Sequence, residues 1–205
     1  MRENDIREAG RSLPGAPPAL LRTLADRAAH EGLVDISYGE VDSPLGTLVL
    51  AVTGLGLVQL SYADSDPGAL EWLARRLSPR IIRRPSQTDS ARRQLDEYFN
   101  GKRHDFDTPL DWTLIRGFRR RVLEATVAIP FGQVSTYRAV ATEAGNTLAS
   151  RATGNALGAN PIPIIIPCHR VLRTGGGFGG YTGGIHRKEQ LLALEGVGQG
   201  RLARL

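Results

Sequence analysis

Hydrophobic and polar positions alternate along residues 33–62. Val34, Ile36 and Tyr38 recur with a period of two, and apolar-rich runs follow at residues 47–52 and 57–62. The turn formers Ser43-Pro44-Leu45-Gly46 and Thr53-Gly54-Leu55-Gly56 separate the runs, so the pattern predicts an antiparallel meander. The period then lengthens. Leu70, Leu73, Ala74 and Leu77 stand at i, i+3, i+4 and i+7, which predicts a helix. A second helix is predicted over about residues 88–100, with Leu95 and Phe99 on one face and Gly101 as its stop. Upstream, residues 18–31 predict a short helix with Leu20, Leu24 and Ala28 on one face. Residues 1–17 are polar, end among prolines and glycine, and predict a disordered tail.

Residues 103–111 read as a linker, and beyond them the pattern is helical. Phe118, Val122, Ala125 and Ile129 define a helix closed by Pro130 and Gly132. Ser135 is placed to cap the next, whose apolar face is Tyr137, Val140, Ala141 and Ala144. Gly145-Asn146 breaks it, and another helix is predicted over about residues 148–159. Two short helices around a glycine turn outline a helix-turn-helix, although helical hairpins also occur in domains that never meet DNA. The second is built almost wholly of small residues around Arg151. Gly154 and Gly158 each cost roughly 1 kcal/mol of helix stability against Ala. Small side chains suit tight helix–helix packing; they equally suit a helix pressed into a DNA groove.

Hydrophobic residues make up 41% of the 205 positions and charged residues 23%, as in a soluble globular protein. No apolar run approaches a membrane span, and the start Met1-Arg2-Glu3-Asn4-Asp5 lacks the features of a signal peptide. A cytoplasmic protein is expected. One cysteine excludes an internal disulfide and a Cys-rich zinc site; the four histidines show no metal-ligand spacing, and no metal or cofactor is expected. Residues 1–110 carry 14 basic and 16 acidic residues, a balance of −2; residues 111–205 carry 12 and 5, a balance of +7. That asymmetry points to a polyanion as partner of the second half, against the plainer reading of a solvated basic surface.

The chemistry concentrates in Pro161-Ile162-Pro163-Ile164-Ile165-Ile166-Pro167-Cys168-His169-Arg170. A proline-bracketed apolar run implies burial, and it delivers the cysteine beside His and Arg. A lone cysteine is usually a small buried hydrophobe. Cationic neighbours would lower its pKa, and His169 is placed to take its proton, directly or through water. Residues 174–184 hold a G-x-G-x-x-G at Gly175, Gly177 and Gly180, but no strand–turn–helix frames it, so a dinucleotide site is rejected. A lid over a flat substrate and a plain surface loop both remain open. Glu195 closes the last helix, where a carboxylate faces the negative end of the helix dipole. It is either an ordinary surface residue or a carboxylate placed to orient a histidine.

At Pro167-Cys168-His169-Arg170 the chain resembles the methylated-DNA–protein-cysteine methyltransferases, the alkylguanine-DNA alkyltransferases. The likeness runs over residues 112–196. It includes Phe131-Gly132-Gln133-Val134-Ser135-Thr136-Tyr137, Ser150-Arg151-Ala152-Thr153-Gly154, Asn160-Pro161-Ile162-Pro163, Gly180-Tyr181-Thr182-Gly183-Gly184 and Lys188-Glu189-Gln190-Leu191-Leu192-Ala193-Leu194-Glu195. The resemblance implies an α+β chain of two domains. Residues 1–32 would be a tail with a short helix, and residues 33–110 a ribonuclease-H-like antiparallel sheet with helices. Residues 111–199 would form a mostly helical, winged-helix-like DNA-binding and catalytic domain. It further implies irreversible transfer of an alkyl group from oxygen-6 of a flipped guanine onto Cys168, with no cofactor, and leaves transfer from oxygen-4 of thymine open.

In that scheme His169 is the water-linked base, Glu195 orients it, and Asn160 holds the hinge. Tyr137 bonds N3 of the base and crowds its phosphate, and Arg151 fills the gap left in the duplex. Arg138, Asn146 and Thr174 meet phosphates. Pro163 and Tyr181 line the pocket, the carbonyls of Cys168 and Val171 accept from the guanine amino group, and the Thr182 N–H lies near oxygen-6. The partner implied is double-stranded DNA carrying alkylated guanine, met by a monomer. Gly158 removes one side chain that would reach a phosphate. Against this scheme stand a lesion sensor that binds without transfer, a thiol hydrolase using Cys168 and His169, and a purely structural DNA-binding module.

Overall fold

The computed structural model describes residues 17–198. The tail expected over residues 1–17 lies, apart from Pro17, outside the described residues. The first helix, α1 (Pro18–His30), forms where the sequence predicts it, but it turns a different face inward. Ala25 is buried, with Leu21, Ala28 and Ala29 half-buried beside it, whereas Leu20 and Leu24 are each 50% exposed.

Strands β1 (Ile36–Val41), β2 (Leu48–Thr53) and β3 (Gly56–Tyr62) form the expected meander, with Tyr38 opposite Ala51 and Leu50 opposite Leu60. Helix α2 (Ala69–Arg76) then carries the chain to the far edge, where β4 (Ile81–Arg83) pairs parallel with β1. This fourth strand was not anticipated. On one face of the sheet Ile36, Ala51 and Val58 meet Leu73 of α2. The other face, with Leu48, Leu50, Leu57 and Leu60, packs on Ala91, Leu95 and Tyr98 of α3 (Asp89–Phe99). The same core continues through Val122 and Leu123 to Ile162, Ile166 and Cys168, so one hydrophobic body joins the sheet to the second half.

The free edge of β3 is covered rather than left open. The Leu57 amide donates to the Pro109 carbonyl at 2.8 Å, the Asp111 amide returns to the Leu57 carbonyl at 2.9 Å, and the Leu60 amide donates to Pro161 at 2.8 Å. Residues 103–111 therefore end strapped along the sheet. The close approach needs Gly56: its φ is +136°, and a Cβ there would collide with the Pro109 carbonyl.

The second half is mostly helical: α4 (Gly117–Val127), α5 (Tyr137–Glu143), α6 (Ser150–Gly158) and α7 (Ile185–Leu194). Two short strands, β5 (Ser135–Thr136) and β6 (Val171–Leu172), pair in parallel. The cap of α5 is Thr136, whose hydroxyl accepts from the Ala139 amide at 3.1 Å, and not Ser135, which is paired in β5. Gly145 ends α5 with φ +85°. Helices α5 and α6 are held from behind by α4. Arg121 Nε donates to the Ala144 carbonyl at 2.9 Å, and Arg119 Nη2 donates to Ala159, so an arginine satisfies a terminal carbonyl of each helix. The architecture is α+β, with the sheet in the first half. No described helix is long and apolar enough to cross a membrane.

Candidate active site

Helix α6 runs directly into Asn160, which is 3% exposed and organises the chain beyond it. Its Oδ1 accepts from the Ile162 amide at 3.0 Å, and its Nδ2 donates to the Ile166 carbonyl at 2.9 Å and to Cys168 Sγ at 3.2 Å. The turn between is tight. The Ile165 amide bonds the Pro163 carbonyl at 3.0 Å, the Ile166 amide bonds Ile162 at 2.9 Å, and Ile164 sits at φ +73°. A β-branched residue rarely adopts that conformation, so burial of the isoleucines and the Asn160 bonds hold strained backbone beside the thiol.

Cys168 is 5% exposed, on a three-residue 3-10 turn with His169 and Arg170. Burial pushes its thiol above the ordinary range; the Asn160 hydrogen bond and the charge of Lys188 pull partly the other way. The expectation that His169 and Arg170 would lower this thiol is not met. Arg170 turns to Glu195, placing Nε 2.9 Å from Oε2 and Nη2 2.9 Å from Oε1, while Nη1 donates to the Ile129 carbonyl at 2.6 Å. The nearby cation is instead Lys188. It is fully buried, donates to the carbonyls of Val171 at 2.6 Å and Phe178 at 2.5 Å, and is drawn down by burial to about 8.

Glu195 is 4% exposed and is no surface residue. Besides the two Arg170 bonds it accepts from Tyr98 Oη at 2.8 Å, from the Gly132 amide at 3.3 Å and from His169 Nε2 at 2.8 Å. Burial alone would raise its carboxyl. The bonds from His169 and Arg170 outweigh that and hold it at about 2, so it is ionised. Burial lowers His169, against the pull of Glu195, and keeps the ring neutral at neutral pH. A neutral ring that gives its Nε2 proton to a carboxylate carries its lone pair on Nδ1. That nitrogen is buried and has no protein partner. The arrangement presents a masked thiol beside an oriented base.

Outside this centre an open cleft of about 570 Å³ runs between α6 and the glycine-rich loop, lined by Tyr137, Arg151, Gly158, Arg173, Tyr181 and Thr182 among others. Tyr137 packs on Gly154, 3.8 Å from where a Cβ would stand, and Gly179 admits no side chain against the Tyr137 hydroxyl. Nothing lies within 4 Å of where a Cβ on Gly158 would stand, so no close packing there requires a glycine. Arg138, Asn146, Arg151, Thr174 and Thr182 are exposed, and Pro163 and Val171 are buried. Asn146 Oδ1 is used within the turn, accepting from the Leu148 amide at 3.2 Å. The structure thus buries two adjacent pairs, Cys168 with Asn160 and His169 with Glu195, and leaves Arg138, Asn146 and Thr174 exposed on the surface. Sequence reasoning missed Lys188, Tyr98 and the direction of Arg170. Lys188 shares the helix face of Glu195 at seven residues' spacing; Tyr98 carried no signal. Among the described residues no group of metal-binding side chains occurs.

Residues 36–112 match the family model described as 6-O-methylguanine DNA methyltransferase, ribonuclease-like domain, and residues 117–197 match that of its DNA binding domain. The chain is 41% identical over 167 residues to the methylated-DNA–protein-cysteine methyltransferase of Mycolicibacterium paratuberculosis, covering 78% of this chain and 92% of that one. It is 36% identical over 164 residues to the protein of the same name from Sulfolobus acidocaldarius, at 79% and 94% coverage. Among solved structures, Mycobacterium tuberculosis OGT in complex with DNA aligns with a TM-score of 0.67 at 39% identity, covering 78% of this chain and 92% of that chain. The O6-methylguanine-DNA methyltransferase of Pyrococcus kodakaraensis strain KOD1 aligns with a TM-score of 0.62 at 25% identity, covering 79% and 99%.

Proposed function

The chain belongs to the methylated-DNA–protein-cysteine methyltransferase family, and from this premise we propose that Cys168 is the acceptor of its alkyl transfer. The protein repairs DNA by moving an alkyl group from guanine oxygen-6 directly onto itself. It acts as a cytoplasmic monomer on duplex DNA carrying the lesion. The target atom is out of reach inside the duplex, so the base is flipped out, at a cost of a few kcal/mol. Arg151 and Gly158 of α6 line the cleft that would receive it, with Tyr137 and Tyr181 as walls.

The observation that carries this reading is the two buried contacts Glu195–His169 and Asn160–Cys168, made by consecutive residues of one turn. His169 Nδ1 takes the thiol proton, through a bridging water, and the resulting imidazolium is stabilised by ionised Glu195. The thiolate attacks the alkyl carbon, the carbon–oxygen bond breaks, and the guanine departs with the bonding pair to be reprotonated. A thioether forms on Sγ. An unactivated thioether does not give up its alkyl group to water, so each chain reacts once. Asn160 and Lys188 favour the thiolate against the cost of burial.

Intact-protein mass after incubation with duplex DNA containing one methylated guanine tests this. We expect a gain of one CH2 per chain, absent in Cys168→Ala. Bound DNA without any gain would make the protein a lesion sensor and overturn the assignment.

A further inference from the structure

The glycine-rich loop beside the site has little to hold itself in place. Seven of residues 174–184 are glycines, the residue that loses most conformational freedom on ordering. Lys188 holds it at the Phe178 carbonyl and Thr182 Oγ1 at the Gly158 carbonyl, and its Tyr181 end is fixed from the sheet. Tyr62, the last residue of β3, is 2% exposed, and its hydroxyl lies 3.0 Å from that of Tyr181. The two rings meet edge to face at 6.5 Å, and Tyr181 meets His169 in the same way at 6.5 Å and 87°. Gly183 is seated directly on Tyr62: a Cβ there would lie 2.5 Å from the ring.

Arg187 of α7 locks this contact. Its guanidinium covers the Tyr62 ring at 4.2 Å and donates to the carbonyl of Gly183 at 3.1 Å. On the sheet side it reaches the Leu45 carbonyl at 2.9 Å, the Ser65 hydroxyl at 2.7 Å and Asp64 at 2.6 Å. One side chain 5% exposed therefore ties the β1–β2 turn, the end of β3 and the loop together.

We infer that Tyr62 and Arg187 are positioning residues for alkyl transfer: by clamping Tyr181 and Gly183 they fix the pocket wall against His169. The inference rests on Cys168 as acceptor. Neither residue lines the cleft; both act through Tyr181, which does. The first half of the chain thereby takes part in the reaction without supplying a reacting group.

The test is single-turnover transfer from methylated duplex at saturating DNA for wild type, Tyr62→Phe and Arg187→Lys, read as rate and final amplitude, with DNA Kd measured separately. Tyr62→Phe keeps the ring and leaves the Tyr181 hydroxyl without its partner, so we expect a rate about tenfold lower. Amplitude should still reach one alkyl per chain, and Kd should stay within twofold. A purely structural role would lower the amplitude, through unfolded chains, and leave the rate of the folded fraction alone. Rates within twofold of wild type in both variants would overturn the clamp, as would rate and Kd worsening in parallel. If Tyr62→Phe does not fold, Arg187→Lys is read by the same two outcomes. A wild-type chain that binds DNA and gains no mass would instead refute the assignment of Cys168.

Discussion

Replacing Glu195 with Gln asks whether one buried carboxylate both steadies the fold and aims His169. Its carboxyl is held at about 2, against 4.5 in the unfolded chain. Such a difference contributes about 3 kcal/mol at neutral pH. Because the folded value is the lower one, the contribution is complete above about pH 4.5 and is lost as pH falls through about 2. Gln keeps the shape but removes the charge, and Arg170, 4% exposed, is left without its counter-charge. Breaking a buried pair from one side costs about 3–5 kcal/mol, in line with the carboxyl's own contribution. For a chain of 205 residues each kcal/mol lowers Tm by about 2–4 °C. Calorimetry at pH 7 should therefore show Glu195→Gln melting roughly 10 °C below wild type. The gap should narrow as pH is stepped down from about 4.5 toward 2, because only the wild type has this charge to lose. Transfer at pH 7 should slow as well, since the amide cannot stabilise an imidazolium as a carboxylate does. A variant melting within 2 °C of wild type at pH 7, or one equally sensitive to acid, would refute the reasoning.

Three further substitutions probe other parts of the molecule. Asn160→Ala removes the bond that lowers the Cys168 thiol, so the rise of transfer rate with pH should move to higher pH; an unmoved profile would count against Asn160 as a tuner of the thiol. Gly158→Lys fills open space on the cleft face of α6. It should be tolerated in melting and should steepen the salt dependence of DNA binding by about one unit of log–log slope, as one added phosphate contact does; an unchanged slope would place that face away from the backbone. Gly56→Ala combines φ +136° with a collision against the Pro109 carbonyl and should cost about 3 kcal/mol, seen as a fall in Tm of about 6 °C or more. A melting point within 2 °C of wild type would show that the edge contact is loose.

The helices and the meander were legible because their signals are local: period, turn formers and stops lie within a few residues of one another. β4 was not. Ile81-Ile82-Arg83 is too short to show alternation, and its partner β1 lies 45 positions upstream, Ile36 against Ile81. In α1 hydrophobicity favoured Leu20 and Leu24, but what a helix buries depends on the surface it meets, and here that surface takes Ala25. The cap of α5 was misplaced by one residue because Ser135 and Thr136 have the same capping chemistry; pairing with β6 decided between them. At the site, Asn160, Cys168 and His169 lie within one motif. Glu195 could be suspected from its poor place in the helix dipole. Arg170 misled because adjacency in sequence was taken as adjacency in space. On a 3-10 turn consecutive side chains point about 120° apart, so the residue two after Cys168 faces elsewhere. Tyr98 and Tyr62 reach the site only through tertiary packing, and nothing near them in the chain marks them.

The charge asymmetry shows how a correct inference can rest on a count that overstates its cause. The second half is strongly basic, and that excess pointed to a polyanion. Part of it never meets solvent, since Arg170, Arg187 and Lys188 are buried, and part is spent on contacts within the fold. Arg119 and Arg121 satisfy helix-terminal carbonyls, Arg170 is committed to Glu195, and Arg187 and Lys188 hold the active-site loop. Arg120 pairs with Glu124. What remains for a nucleic-acid partner on the cleft side is smaller and better placed: Arg151 and Arg173 line the cleft, and Arg138 is exposed at the start of α5. Buried cations cannot release counterions from DNA, because they do not reach its phosphates. The salt dependence of binding should follow these few exposed arginines rather than the net charge. The committed ones contribute by holding α5, α6 and the loop in place.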